Sequence, residues 1–324
     1  MNLPVTRHQL AEAPAGPAVM RAGVVAWRHD GSLTVAGRGH ARRVDTGFPD
    51  LHHHELSPDG RYLLALGDGA RRAAVVDLRD GRLVLELVGE EERRHSLRVG
   101  FGVIGAHTYV FAGSRARRNA VSLYALDDGA ARAWISAVGM IGFHVDRMIP
   151  LGPGWQAFLG HGDGEQYDTV VAVPTIEMLD DTEVLQTALR EPRIKDWGYR
   201  VAIGPVSGGL VATFRDAGWD DDDRPDDPDE AFRGLAVRMP DSGAAVQRIA
   251  YAGEPLNGGE LGGDDTHLAI QVATGIDVIE RATGRVHRLD GAILDPHRME
   301  VATVDGAAVT VEHVTRALAR SAAR

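Results

Sequence analysis

The chain has 324 residues, 44% apolar and 25% charged, enough to bury one large core or two ordinary ones and too apolar for wholesale disorder. A net charge of −11 excludes sequence-independent attraction to nucleic acid or to an anionic membrane surface. Cysteine is absent, which removes disulfides, thiolate metal sites and cysteine nucleophiles. Residues 1–20 carry no apolar h-region behind a basic start, and no later run is long enough to span a bilayer, so a cytoplasmic location is expected. The abundance of Ala, Arg, Gly and Val points to a GC-rich bacterial genome.

In chain order, 22–27, the Asp30-Gly31 turn and 32–36 read as two paired strands. Residues 51–57 then end at Asp59-Gly60 and are followed by strands at 62–66, 73–78 and 82–87, the last two joined by Asp80-Gly81. Asp-Gly favours a two-residue hairpin because Gly tolerates positive φ and Asp bonds its own backbone. The unit recurs at 97–103, 108–112, 121–126 and 133–138, with Asp128-Gly129 before its last strand. A third has 144–150, 155–159 and 168–173, with a longer passage through 177–189. A fourth starts at Tyr199, runs through 210–214 and resumes at 233–238. The fifth has 256–261, 268–272, 276–280 and 285–289, with Thr283-Gly284 before the last. Finally 298–303, Asp305-Gly306 and 308–312 supply only the first two strands of a unit, and 22–36 only the last two.

A four-stranded meander repeated at this spacing is the signature of an all-β β-propeller. The two half-units predict one blade shared between the N- and C-termini, which closes the ring without an exposed edge. Six blades are expected, or seven if 39–45 or 177–189 conceals further strands. The expected boundaries are an N-terminal arm over 1–18, a single propeller over 19–314 and a C-terminal tail over 315–324. The phrase SPDGRYLLALGDG…VVDLRDGRLVLEL resembles WD40-like, TolB-like and YVTN-type bacterial propeller repeats, in which Ser-Pro-Asp-Gly links the first two strands. Val76-Asp77 stands where WD40 repeats carry Trp-Asp. The resemblance implies a fold and carries no activity, because propellers host scaffolds, lactonases, cyclases and lyases alike.

With strands lettered a to d from the centre outward, the a–b and c–d turns share one face and the b–c and d–a connections the other. The b–c loops at 67–72, 114–119, 160–167 and 215–232 are long and varied, and such loops on a rigid scaffold carry binding residues. The functional surface is therefore expected on the b–c/d–a face. Setting the a–b turns in register brings His52, Arg98, Val145, Arg200, Arg298 and, with one extra residue, Asn257 to the start of strand a. Arginines converging at the channel mouth would recognise carboxylate or phosphate. The competing arrangement pairs them with local Asp or Glu.

His52, His53 and His54 form a run whose alternation sends His52 and His54 one way and His53 the other. With His144 and His161 they could approach Zn²⁺, Fe²⁺ or Mn²⁺, although no recognised metal motif contains them. The loop HGDGEQYD gathers His161, Asp163, Glu165, Tyr167 and Asp168, suited to acid–base work, ligand contact or a Ca²⁺ site, although its spacing is not that of an EF-hand. The insertion GWDDDDRPDDPDEAF, 218–232, reads as a surface loop, a lid or a docking strip. No nucleophile elbow, phosphate-binding loop or dinucleotide fingerprint is present.

The leading expectation is a cytoplasmic, cofactor-free binding module for a protein partner or a small anionic ligand at the b–c/d–a face and channel mouth. Its ligand residues would be His52, His54, Arg98, His144, His161, Asp163, Arg200, Asn257 and Arg298. The alternative is a propeller enzyme of lactonase, lyase or cyclase type acting on a carboxylated molecule. There His52, His144 or His161 would serve as acid or base and the arginines would hold the anion.

Overall fold

Tyr62–Gly67 is buried from end to end and Arg72–Asp77 nearly so, whereas Arg82–Val88 is exposed or half-buried throughout. A strand clad on both faces reads as an unbroken apolar run, and one at an outer edge does not. The same open outer strand recurs at Ala245–Ala250 and Val286–Asp290.

The computed structural model describes residues 5–10, 17–29, 32–37, 40–89, 97–104, 107–114, 120–127, 130–139, 143–152, 154–162, 168–174, 187, 193–198, 201–216, 232–256 and 258–323. Strand β1 is Val5–Gln9, and the first blade is β2 (Ala18–Arg21), β3 (Val24–His29), β4 (Ser32–Gly37) and β5 (His40–Val44). The second is β6 (Leu51–Leu56), β7 (Tyr62–Gly67), β8 (Arg72–Asp77) and β9 (Arg82–Val88). The third is β10 (Leu97–Ile104), β11 (His107–Ser114), β12 (Ala120–Asp127) and β13 (Ala130–Gly139). The fourth is β14 (Phe143–Gly152), β15 (Trp155–Gly162), β16 (Asp168–Pro174) and β17 (Ile194–Gly198). The fifth is β18 (Val201–Val206), β19 (Leu210–Arg215), β20 (Gly234–Arg238) and β21 (Ala245–Ala250). The sixth is β22 (Leu261–Gly263), β23 (His267–Val272), β24 (Gly275–Glu280) and β25 (Val286–Asp290). Last come β26 (Ile293–Asp295), β27 (Glu300–Asp305), β28 (Ala308–His313) and the helix α1 (Val314–Ala322).

Among the described residues these strands form five four-stranded sheets and one eight-stranded sheet. The larger sheet is two meanders joined by a parallel bridge between Val206 and Gly263. The strands thus group as seven four-stranded blades, the count that depended on hidden strands. Innermost strands sit side by side around a ring: β2 beside β6 and β26, β6 beside β10, β10 beside β14, β14 beside β18, and β18 beside β22. The apolar core lies between blades. One cluster joins blades one and two through Val24, Val35, Leu56 and Leu63, and others join two to three, four to five, five to six, six to seven and seven to one. The chain is a β-propeller.

The ends of the chain meet in one blade, by a different pairing from the expected one. β1 pairs antiparallel with β28, from Val5 opposite Glu312 to Gln9 opposite Ala308, so residues 5–9 of the expected arm are the outer strand of blade seven. Residues 22–36 instead hold the second and third strands of blade one. The strand that completes that blade, β5, lies inside 39–45, where HARRV is too polar to read as a clad strand. Likewise the three-residue β26 precedes 298–303, so Asp305-Gly306 is a b–c turn. The outer strand of blade four is β17, beyond the 177–189 passage. The expected tail carries α1, capped by His313 and packing Val314 and Ala317 into the cluster of blades six and seven.

The Ser57-Pro58-Asp59-Gly60 turn forms as its sequence dictates. Ser57 Oγ accepts from Tyr62 N at 2.8 Å and donates to Asp59 Oδ1 at 2.6 Å, while Gly60 takes φ +68°. The c–d connection of that blade spans 78–81 rather than two residues, with Gly81 at φ +78° donating to Asp77 O at 2.8 Å. Among the described residues no helix is long and apolar enough to cross a membrane.

Candidate functional site

β2 ends at Arg21, a buried arginine facing the axis. Its Nη1 donates to Met20 O at 2.7 Å and its Nη2 to Glu260 Oε1 at 2.6 Å. Glu260, just before β22, also receives the Arg147 guanidinium from β14, and Arg147 donates to Gly258 O as well. Arg21, Arg147 and Glu260 belong to blades one, four and six. Inner strands of non-adjacent blades can meet only across the central channel, so these ion pairs mark the axis.

Two further carboxyls join them. Asp295, at the end of β26, accepts from Ala22 N at 2.6 Å and from His297 N at 3.1 Å, tying blade seven to the a–b turn of blade one. Glu55, on β6, is buried, and its Oε2 occupies space that a Cβ on Gly100 of β10 would enter, at 3.0 Å. Arg21, Glu55 and Asp295 all stand beside a–b turns. The cluster therefore sits in that half of the channel, whereas the sequence points to the b–c/d–a mouth.

The charges are not balanced evenly. Burial works against ionised Glu260, but Arg147 and Arg21 outweigh it and hold the carboxyl down at about 2. Burial pushes Glu55 up to about 7, with the Arg147 and Arg21 charges opposing and Glu260 adding to the rise. Asp295 is raised too, by burial first. His53 and His297 are open to water yet walled in by protein. Desolvation first, and then neighbouring arginines, lower each to about 4: Arg147 and Arg98 act on His53, Arg21 and Arg147 on His297. Near neutral pH the channel thus holds three guanidiniums, the firmly ionised Glu260, two carboxyls raised by burial (Glu55 and Asp295) and two neutral imidazoles.

The residues expected from sequence scatter. His52 is exposed at the d–a end of β6, its Nε2 3.3 Å from Asp50 Oδ2. A register shift between Leu51 and His53 places it at a bulge. His54 is buried against blade one, its Nε2 3.3 Å from Ala26 O. His53, left out of the expected ligand set, is the member of the run that stands among the axial arginines. Arg98 is half-buried on β10 and acts electrostatically on His53. Arg298 is exposed in the turn between β26 and β27, the opposite end from His52, because 300–305 is a b strand. His144 and His161 face each other in the β14–β15 register, their side chains outside the described part. Asp163, Glu165, Arg200 and Asn257 lie outside the described residues, as does the acidic insertion apart from Phe232. Among the described residues no three His, Asp or Glu side chains gather as a metal site.

Sequence reasoning missed Arg21, Glu55, Arg147, Glu260, Asp295 and His297. The available signal was a charged residue closing or preceding a buried inner strand, as in Glu55-Leu56 and Glu260-Leu261.

No protein-family model matches the chain, and no curated protein matches it in sequence. Solved structures do match in fold. Kuenenia stuttgartiensis hydrazine synthase superposes with a TM-score of 0.58 at 12% identity, over 92% of this chain and 96% of that one. The β-propeller domain of Myceliophteria thermophila Cps50 (Swd1) gives 0.53 at 11% identity, over 94% and 99%. The WD40 domain of SCAP from fission yeast gives 0.52 at 8% identity, over 96% and 98%. At these identities the likeness is one of fold.

Proposed function

We propose that the protein is a non-catalytic binding propeller whose axial channel receives a small anion of carboxylate or phosphate character. The observation that carries this reading is the convergence of three guanidiniums at the axis, Arg21, Arg98 and Arg147, beside the ionised Glu260. Guanidinium offers directed, bidentate donors to such anions. A cytoplasmic location and a protein partner on the long b–c loops belong to the same reading and rest on the sequence. Calorimetric titration with citrate, succinate and inorganic phosphate tests it. Saturable binding of one of them without turnover supports it, and no binding of any refutes it.

A second reading has one observation in its favour. Glu55, held at about 7 in the channel wall, could give or take a proton near neutral pH, as a general acid or base requires. A propeller enzyme of the lyase or lactonase type would lose turnover in Glu55→Gln, whereas the binding module keeps its affinity.

A further inference from the structure

Blades one and two part on the a–b/c–d face to leave a cleft of about 460 Å³, a volume in the range of small-molecule sites. Its apolar wall is buried Val24 and Val35 with half-buried Leu78. Its polar wall is Arg42, Arg61 and Arg79, from β5, the a–b turn and the c–d turn. Gly60 makes this junction close: a Cβ there would press on Arg21 O at 2.9 Å and on Val24 Cγ2 at 3.0 Å.

Two of the three guanidiniums share one buried carboxylate, Asp77. Arg61 donates to Asp77 Oδ2 from Nε at 3.1 Å and from Nη2 at 3.0 Å, and Arg79 Nη2 reaches the same oxygen at 3.0 Å. Arg42 spends its Nη2 on the Leu78 carbonyl. Arg61 is further fixed over the Tyr62 ring, 4.7 Å from its centroid. The nearby exposed carboxylates are engaged in their own turns: Asp59 accepts from Ser57 Oγ and Arg61 N, and Asp80 from Arg82 N. An ordered cationic wall thus faces an apolar one, in a protein of net charge −11.

We propose that this cleft binds a small organic anion, an acidic head group on an apolar body, with the head on Arg42 and Arg79 and the body against Val24, Val35 and Leu78. None of the axial side chains lines this cleft, so its ligand binding is separate from that of the channel.

Fluorescence titration with anilinonaphthalene sulfonate, a sulfonate on an aromatic body, tests it on the full chain. The expected result is saturable binding displaced by decanoate and not by decanol. The Arg42→Ala/Arg79→Ala variant should weaken binding by about tenfold or more, through loss of charge-assisted hydrogen bonds. Arg82→Ala, which removes a nearby charge outside the cleft, should change it by less than about twofold. Both cleft arginines are exposed and buried Asp77 keeps Arg61 when Arg79 is removed, so the variant should stay folded; thermal unfolding checks this, and each single substitution carries the same comparison should the pair not fold. Absence of saturable binding, equal displacement by decanol, or wild-type affinity in the cleft variants would overturn the proposal.

Discussion

Arg21 Nη2 lies 2.6 Å from Glu260 Oε1, although 239 residues separate them and their blades do not touch around the ring. The contact crosses the propeller axis, with Arg147 arriving at the same carboxylate from a third blade. Two buried or half-buried cations depend on one anion, so the network is sensitive to its centre.

Glu260→Ala should destabilise the fold by about 3–5 kcal/mol, because it breaks the ion pair of buried Arg21. Urea unfolding checks this. A loss under about 1 kcal/mol, the value of a solvent-exposed pair, would mean that water already screens the network.

Glu55 sets a pH response whose sign follows from its upward shift, from 4.5 to about 7. The folded state holds its proton more tightly than the unfolded chain, so its contribution is complete below pH 4.5 and is lost as pH rises through 7. His53 and His297, shifted down, push the opposite way between pH 4 and 6.5. Subtracting Glu55→Gln from wild type isolates the carboxyl. The variant should gain stability relative to wild type across that window in thermal unfolding, and a constant difference would place the Glu55 carboxyl at its ordinary value.

Gly204→Ala tests how closely the fifth and sixth inner strands approach. A Cβ there would overlap the Leu261 carbonyl oxygen, beside the Val206–Gly263 bridge. Overpacking against backbone should lower stability by about 1–3 kcal/mol or more. Equilibrium unfolding of the variant measures this, and an unchanged midpoint would contradict the spacing.

Much of this frame was legible in the sequence, and the exceptions have a common cause. Blades two and three read correctly because β7, β8 and β11 are clad strands and Ser57-Pro58-Asp59-Gly60 is a strong turn. Of the missed strands, β1, β5, β17 and β21 are outer strands, polar or half-exposed, so they lack an apolar run, and the inner strand β2 has only four residues. β26 has three residues and no periodicity to detect. Those omissions moved the terminal half-units by one strand and put Arg298 in register with His52, which it does not share. The channel was less legible still: Arg21 and Glu260 pair across most of the chain, and a bulge after Leu51 decides which histidine reaches the axis. Turn spacing carries no trace of either.

Closure by the N-terminal strand gives a direct test of that corrected pairing. Removing residues 1–10 strips β1 from β28 and takes buried His8 and Leu10 out of the core. The shortened chain should unfold at lower temperature and self-associate through the bared β28 edge, as unpaired edges do. Light scattering alongside thermal unfolding reads both, and a monomeric chain of unchanged stability would contradict the pairing.

The axial anion site is tested most directly by calorimetric titration of citrate into wild type and Arg98→Ala. Arg98 is half-buried and near His53, and its loss should leave folding intact while weakening citrate by about 1.5–3 kcal/mol, roughly tenfold to a hundredfold and beyond. Equal affinity in the two proteins would contradict the account, and the channel arginines would then serve only to hold the blades together.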